Sequence, residues 1–333
     1  MSRFILVASI LIIVAGCIKD EYIAEERYAL LSITPVVNKD EATIAHQESY
    51  FDLFKIGIQV TNLSGTELYF PYTKNLLLSN DNNNWVLSKP VCLSSINAKI
   101  FAYYPYTESE ENISGTGETA MVSLNIPKEQ AMALQKDYMY ASQSTYLPSE
   151  EGQIYYANPD VTLELNHALS LVSFVILNEG YIGAGKLSKI EISDKSVFPG
   201  LTVSAVGGNQ LAMKLADGII IDGDFIAEIA VNSIENSITE TVDPGVDEVQ
   251  LKTMVNGYMY VVPSTFADKR NVQFALTIDN NVYTISHTGE GELKWIKGYQ
   301  YIYKLRLTAT ALTILDIVIT DWDVNYGGEN LLK

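Results

Sequence analysis

The sequence predicts an all-β protein with two tandem antiparallel β-sandwich domains. Three observations support this prediction. Apolar and polar residues alternate in many short segments, turns rich in Asn, Asp, Gly and Pro separate them, and the composition favours strands, with 21 Tyr and 10 Phe. A chain of 333 residues is also long enough for two hydrophobic cores.

The N-terminus is predicted to be a lipoprotein signal. Residues 4–15 are apolar, too few to cross a membrane and typical in length of a signal peptide. Small residues precede Cys17, which resembles the bacterial lipobox. We therefore expect cleavage between Gly16 and Cys17 and acylation of the Cys17 thiol, with palmitate among the acyl chains. Residues 1–16 are then the signal peptide and residues 17–27 a tether.

The first predicted strand, residues 28–37, has one apolar face. Leu31, Ile33 and Val37 lie on that face, because side chains of a strand alternate between its two sides. Pro35 lacks a backbone N–H, which favours the edge of a sheet.

The other predicted strands show similar alternation or continuous apolar runs. In chain order they are residues 54–60, 98–106, 161–169, 171–177, 187–192, 259–263, 273–278, 281–287, 299–307 and 312–319.

Breaks in this pattern predict the domain organisation. Residues 158–160, Asn-Pro-Asp, form the predicted boundary, which gives an N-terminal domain of residues 28–159 and a C-terminal domain of residues 160–333. A short helix is predicted over residues 127–139, since a proline suits its first turn. A hairpin is predicted over residues 201–215, around a Gly-Gly pair.

Charge and residue counts exclude several functions. A formal net charge of −18 repels nucleic acid, two cysteines cannot form a disulfide scaffold, and three histidines are too scattered for a zinc motif. No phosphate-binding loop or nucleophile elbow is present, so we expect no enzyme activity, no cofactor and no metal. Cys92 and His167 are expected to be structural, the first a buried thiol and the second a core or edge histidine.

Five short segments, spread over nearly the whole chain, carry a resemblance to a known family. They are residues 102–106 (AYYPY), 165–170 (LNHALS), 260–263 (YVVP), 298–303 (GYQYIY) and 319–322 (ITDW). Together with the lipobox, this set resembles the fimbrillins, the type V pilus subunits of Bacteroidetes. The resemblance implies transthyretin-like sandwiches, export to the cell surface as an outer-membrane lipoprotein, and a fimbrium that serves adhesion and biofilm formation.

The resemblance also implies a role for each end of the chain. A protease removes the first strand, residues 28–37, and a C-terminal strand of the next subunit fills the gap, which builds a head-to-tail polymer. Residues 312–333 are then the donor segment. Its apolar residues are Leu312, Ile314, Leu315, Ile317 and Ile319.

The cleavage site departs from the family pattern. Well-known fimbrillins are cut after an arginine that follows the first strand, whereas the corresponding loop here contains Lys39 and no arginine. The Lys39–Asp40 bond is the first candidate. Arg27 suits this role less, because it precedes the strand. Alternatively the strand stays in place, as in an anchor subunit, and the sequence leaves stalk, anchor and tip open.

Two other functions are consistent with the sequence. Tyr103 and Tyr104 could form a stacking platform on a surface lipoprotein that captures glycans. A hydrolase would need a pair of acidic residues in a cleft, whereas most of the acidic residues fall in predicted loops.

Overall fold

The computed structural model describes residues 27–37, 55–81, 84–142, 153–205, 210–238 and 248–322. Within these segments strands dominate, accompanied by one α-helix, α1 (Glu248–Thr253). The prediction of an all-β fold is confirmed. Short 3-10 turns span Pro71–Lys74, Glu110–Asn112, Gly117–Thr119, Met132–Leu134 and Lys269–Asn271. None of the helices in these segments is long and apolar enough to cross a bilayer.

The first half of the chain forms a seven-stranded sheet. From one edge to the other its strands are β2 (Ser32–Val37), β12 (Asp160–His167), β11 (Met139–Ser142), β7 (Ala98–Tyr104), β3 (Lys55–Asn62), β4 (Leu76–Asp81) and β5 (Asn84–Leu87). Only the pair of β2 and β12 is parallel. The edge strands β2 and β5 approach each other, so the sheet curls around a core that includes Ile56, Ile58 and Leu76.

The second half, together with one short strand from the first half, forms a sandwich of two sheets. One contains β20 (Gly257–Val261), β13 (Ser170–Asn178), β25 (Tyr299–Leu307) and β26 (Leu312–Asp321), in that order. The other contains β10 (Glu129–Ala131), β19 (Glu228–Asn232), β14 (Leu187–Asp194), β22 (Val272–Ile278) and β23 (Asn281–Ser286). Phe174 and Tyr303 from the first sheet pack on Phe274 from the second, with ring centroids 5.3 and 4.6 Å apart. These aromatic contacts form the centre of the core.

Strands from both halves meet in a junction layer. Its sheet contains β17 (Ile220–Ile221), β16 (Ala212–Lys214), β9 (Met121–Ser123) and β8 (Ile113–Ser114). The core beneath it combines Phe101 and Tyr140 from the first half with Leu169, Met213 and Trp322. Three further pairs complete the fold: β1 (Ala29–Leu30) with β6 (Cys92–Leu93), β15 (Leu201–Val203) with β18 (Asp224–Ile226), and β21 (Ser264–Phe266) with β24 (Leu293–Trp295).

The predicted helix over residues 127–139 is wrong. Glu129–Ala131 forms β10, which pairs in parallel with β19, and a 3-10 turn at Met132–Leu134 follows. Helix propensity in this segment is weak, and long-range pairing with β19 satisfies its backbone instead.

Two other expectations differ from the observed pairing. In the region of the predicted hairpin, β15 pairs with β18 and β16 pairs with β9 and β17, so the two strands have different partners. Asp160–His167, which the sequence analysis placed at the start of the second domain, pairs with β2 and β11 of the first sheet. The two-domain division itself stays a prediction.

Candidate functional site

Most of the predicted processing sites cannot be placed in the structure. Gly16, Cys17, Lys39 and Asp40 lie outside the described residues. Arg27 is described and exposed, and it lies two residues before β1. Lipidation and maturation cleavage therefore remain predictions, whereas both predicted exchange strands can be examined directly.

The predicted leaving strand is the edge strand β2, and its apolar face is buried. β2 pairs in parallel with β12 over six residue pairs, from Ser32 opposite Asp160 to Val37 opposite Leu165. Ile33 and Val37 are 2% and 1% exposed, and Leu31, just before the strand, is 7% exposed. Burial of each such side chain contributes about 1.5–3 kcal/mol. The strand therefore seals the core of the seven-stranded sheet.

Pro35 fits the position that it occupies in β2. The Ser32 amide donates to the Pro159 carbonyl, towards β12, and the Leu31 amide donates to the Val91 carbonyl on the other side. Because amide directions alternate along a strand, the nitrogen of residue 35 faces away from β12, where its missing hydrogen costs no ladder bond.

The predicted donor segment contains the edge strand β26, which is far more exposed. β26 pairs with β25 on one side only. Leu312 is buried, Ile314 and Ile317 are partly buried, and Leu315 and Ile319 are 42% and 59% exposed. The outer backbone edge of β26 and several of its aliphatic side chains are thus accessible to another strand.

A β-bulge interrupts the pairing of β26. Lys304 lies opposite Asp316 and Leu305 lies opposite Ile314, so Leu315 has no partner on β25. The bulge shifts the alternation by one residue. As a result Leu312, Ile314 and Ile317 all pack against the core of the second half.

An open groove of about 620 Å³ runs between β26 and β23. Lys269, His287, Leu312 and Ile317 are among its lining residues. The Tyr303 hydroxyl lies 3.3 Å from His287 Nε2. Burial, together with the nearby Lys269 ammonium, lowers the pKa of His287 to about 4. The groove therefore has a neutral histidine on its floor at pH 7.

The residue after β26 is held in an aromatic cluster at the junction of the two halves. Trp322 is 4% exposed and stacks on His167, with ring centroids 3.9 Å apart and planes 6° apart. His167 Nδ1 lies 2.8 Å from Asp137 Oδ2, and Tyr260 stacks on Trp322 at 5.1 Å. His167 is buried, as expected, and it lies on β12, the strand that also supports β2.

The helix α1 provides a second attachment for the same end of β26. The Thr320 hydroxyl donates to Glu248 Oε1, and Lys252 Nζ donates to the Asp321 carbonyl at 3.4 Å. Lys252 also lies 3.2 Å from Glu248 Oε1. The Thr320 hydrogen bond, followed by Lys252, lowers the pKa of Glu248. The C-terminal end of β26 is thus attached to the protein more firmly than its exposed middle.

The tyrosines considered for glycan stacking do not form an open platform. Tyr103 is 1% exposed, and its hydroxyl donates to Asn75 Oδ1 at 2.7 Å. Burial raises the pKa of Tyr104, which is half-buried, to about 12. Tyr103 therefore packs in the junction core and offers no ring face to a sugar. In the described part of the chain, no group of His, Cys, Asp and Glu side chains is arranged to hold a metal.

Sequence reasoning did not find the cluster around Trp322. Asp137, His167 and Trp322 come from three separate parts of the chain, and nothing in their local sequences indicates that they meet. Cys92 was expected to be buried; it is half-buried and forms no disulfide among the described residues.

The described residues thus form a protein of packed β-sheets, with β2 at the edge of one sheet and β26 at the edge of another. The sequence matches the model of the fimbrillin-like family over residues 48–322, which is most of the chain. The chain therefore belongs to the fimbrillin-like family. None of the curated proteins matches this sequence.

Solved structures share this fold at low sequence identity. A fimbrial protein from Bacteroides vulgatus is 13% identical, with a TM-score of 0.56, and the match covers 88% of this chain and 99% of that chain. A candidate cell adhesion protein from Bacteroides ovatus is 15% identical, with a TM-score of 0.55, and the match covers 89% and 99% of the two chains. At this level of identity the comparison shows the fold alone.

Proposed function

We propose that this protein is a structural, non-enzymatic subunit of a cell-surface fimbrium, and that its subunits join by exchange of an edge strand. One observation carries the proposal: the chain has one edge strand whose apolar face is buried, β2, and another, β26, on which two aliphatic side chains, Leu315 and Ile319, are exposed. Membership of the fimbrillin-like family and the fold shared with a fimbrial protein support it.

Loss of β2 would create an acceptor for another strand. The backbone groups of β12 that now pair with β2 would lose their partners, and the core positions under Ile33 and Val37 would open. A strand from a second copy satisfies both at once. Because the donor and acceptor surfaces differ, each added subunit carries a free donor and the contact propagates into a fibre.

Transfer of β26 is favourable for its exposed side chains. Leu315 and Ile319 are about half exposed where they now lie, at 42% and 59%. Their burial in an acceptor would add about 1–2 kcal/mol each. The parts of β26 that already pack against its own sandwich gain little, so the driving force comes from the exposed residues.

Processing and location complete the proposal. Acylation of Cys17 anchors the protein to the outer membrane during export, a processing protease cuts at Lys39–Asp40, and the fibre serves adhesion and biofilm formation. A subunit that keeps β2 and the lipid would instead end the fibre at the cell as an anchor. The N-terminal residue of the protein purified from its own cells distinguishes these forms: Asp40 identifies a polymerising subunit and lipidated Cys17 an anchor.

The polymerisation test uses the full chain and a lysine-specific protease at limiting amounts. Cleavage after Lys39 is expected to give a ladder of oligomers that resists SDS. Lys39→Gln is expected to prevent it. Cleavage after Lys39 with only monomers on the gel contradicts assembly by strand exchange.

A matched pair of variants tests whether β26 is the donor. Ile319→Asp places a charge on β26 at a residue that is 59% exposed, and Val282→Asp does the same on β23 at a residue that is 65% exposed. Both monomers should fold. We expect Ile319→Asp to abolish the ladder and Val282→Asp to leave it unchanged, whereas equal ladders from the two variants would exclude β26 as the donor.

A further inference from the structure

Four alternate side chains in and just before β2 face the core. Leu31, Ile33, Pro35 and Val37 all point inwards. Ile33 and Val37 are 2% and 1% exposed, whereas Leu31 is 7% exposed and lies outside the paired strand. A strand that replaces β2 must therefore carry three consecutive alternate aliphatic residues for the inner positions. At the outer position it can tolerate a less apolar residue.

In its present sheet β26 does not display such a row. The bulge at Leu315 leaves this side chain without a cross-strand partner and puts Ile314 and Ile317 on the same side, three residues apart. β2 pairs with β12 without any shift of register. In the place of β2, β26 would therefore pair without its bulge, and Leu315, Ile317 and Ile319 would form one regular apolar face.

We infer that β26 of a second copy replaces β2 in one register, with Leu315, Ile317 and Ile319 in the positions of Ile33, Pro35 and Val37. This inference rests on the proposed function. The same register puts Asp316 in the position of Thr34, which is exposed, and Val318 in the position of Val36, which is half-buried. Both outward-facing positions thus match their new surroundings.

Asp321 selects this register over its neighbour. In the neighbouring register the donor strand is shifted by two residues, so that Leu315, Ile317 and Ile319 take the positions of Leu31, Ile33 and Pro35. Asp321 then takes the position of Val37, which is 1% exposed. An unpaired carboxylate in such a position is strongly unfavourable. In the inferred register Asp321 falls beyond the end of the replaced strand.

Thr313 selects the direction of the strand. In the inferred direction, parallel to β12, Thr313 takes the outer position of Leu31. If β26 ran in the opposite direction, with Asp321 still beyond the replaced strand, Thr313 would take the position of Val37, which is 1% exposed. A threonine hydroxyl is better tolerated at the outer position, so the donor runs in the direction of the strand that it replaces.

Disulfide trapping with a single donor cysteine distinguishes both the register and the direction of the inserted β26. In a background of Cys17→Ser and Cys92→Ser, one batch of full chain carries Val318→Cys. A second batch carries one acceptor cysteine on β12: Asp160→Cys, Thr162→Cys or Glu164→Cys. These three residues lie opposite Ser32, Thr34 and Val36. The two batches are mixed, cut by the lysine-specific protease and oxidised, so each donor–acceptor disulfide joins two copies of the chain.

The inferred register brings residue 318 opposite residue 164. We expect the yield of the disulfide between Val318→Cys and Glu164→Cys to be about tenfold higher than that of each of the other two disulfides. Only directly paired cysteines have a suitable geometry. A dominant disulfide with Thr162→Cys indicates the shifted register, and one with Asp160→Cys indicates the reversed direction; either overturns the inference. Oligomers without any of the three disulfides overturn it as well, because β26 then does not replace β2.

A second variant tests the reason for the register. Asp321→Leu removes the charge that disfavours the shifted position, and we expect it to raise the disulfide between Val318→Cys and Thr162→Cys several-fold. An unchanged yield would show that Asp321 does not choose the register. Batches that form no oligomers after cleavage at Lys39 contradict the proposed function itself, an outcome that differs from oligomers trapped in a wrong register.

Discussion

The two edge strands β2 and β26 differ in how they are held. β2 lies parallel to β12 and buries an apolar face, with Ile33 at 2% exposure. β26 lies antiparallel to β25, and Ile319 on it is 59% exposed. The first strand is retained by its side chains. The last strand is retained by its backbone ladder, by the partial packing of Leu312, Ile314 and Ile317 and by contacts at its C-terminal end.

In the proposed strand exchange, this difference determines which strand needs cleavage of the chain before it is released. Removal of β2 exposes core positions at a cost of several kcal/mol, so the strand needs an irreversible event, such as cleavage of the chain, before it is released. In the proposed exchange, Leu315 and Ile319 of β26 give up little buried area, and the strand recovers its backbone hydrogen bonds in a new sheet. The comparison therefore predicts that core substitutions in β2 lower the free energy of unfolding strongly, whereas substitutions of exposed residues in β26 lower it only slightly.

The largest expected effect comes from a charge on the buried face of β2. Ile33→Asp places a carboxylate at a position that is 2% exposed, and we expect it to lower the free energy of unfolding by about 4 kcal/mol or more. Ile319→Asp, with the same change in β26, should lower it by about 0.5 kcal/mol or less. Urea denaturation of the two uncut monomers measures both values. Similar losses for the two variants would remove the distinction between the strands.

The next effect concerns the end of β26. Trp322→Ala removes the stacking of Trp322 on His167 and Tyr260, and we expect it to lower the free energy of unfolding by about 3 kcal/mol. It should also speed hydrogen exchange of the β26 amides after Ile317. Tyr299→Ala is the matched control, because Tyr299 pairs with Asp321 but is 38% exposed. Unchanged exchange in Trp322→Ala would show that the ladder alone holds this end.

The extent of both predicted exchange strands and the buried face of β2 could be predicted from sequence, but the strands with which they pair could not. Alternation is a local property, and the strand predicted over residues 28–37 and that over 312–319 agree closely with β2 and β26. By contrast, Glu129–Ala131 becomes a strand only because β19, far along the chain, pairs with it. The bulge at Leu315 and the stack of Trp322 on His167 likewise depend on where distant segments come to lie.

Acid should weaken the groove beside β26, which is lined by His287. The pKa of His287 is lowered to about 4, from 6.5, so the unfolded chain binds a proton between these values and the folded chain does not. Stability from the neutral histidine is present above pH 6.5 and is lost as the pH falls towards 4. We expect a loss of about 1–3 kcal/mol over this range.

The variant His287→Phe isolates this contribution. A phenyl ring suits the neighbouring rings of Phe274 and Tyr303, and it cannot titrate. The difference in unfolding free energy between the unmodified protein and this variant should change between pH 6.5 and 4. Parallel pH profiles for the two proteins would show that His287 is not the responsible group.

A small effect on stability is expected from the contact between α1 and β26. Glu248→Gln keeps a hydrogen-bond acceptor for Thr320 but removes the charge beside Lys252. Because the Glu248 side chain is half exposed, we expect a loss below about 1 kcal/mol at pH 7. The pKa of Glu248 is lowered by Thr320 and Lys252, so the difference from the unmodified protein should vanish as the pH falls below 4.5 and the carboxylate is protonated. Faster hydrogen exchange of the Thr320 and Asp321 amides is the expected local effect. Faster exchange at Ser32–Val37 instead would indicate that the edge strands β2 and β26 are coupled.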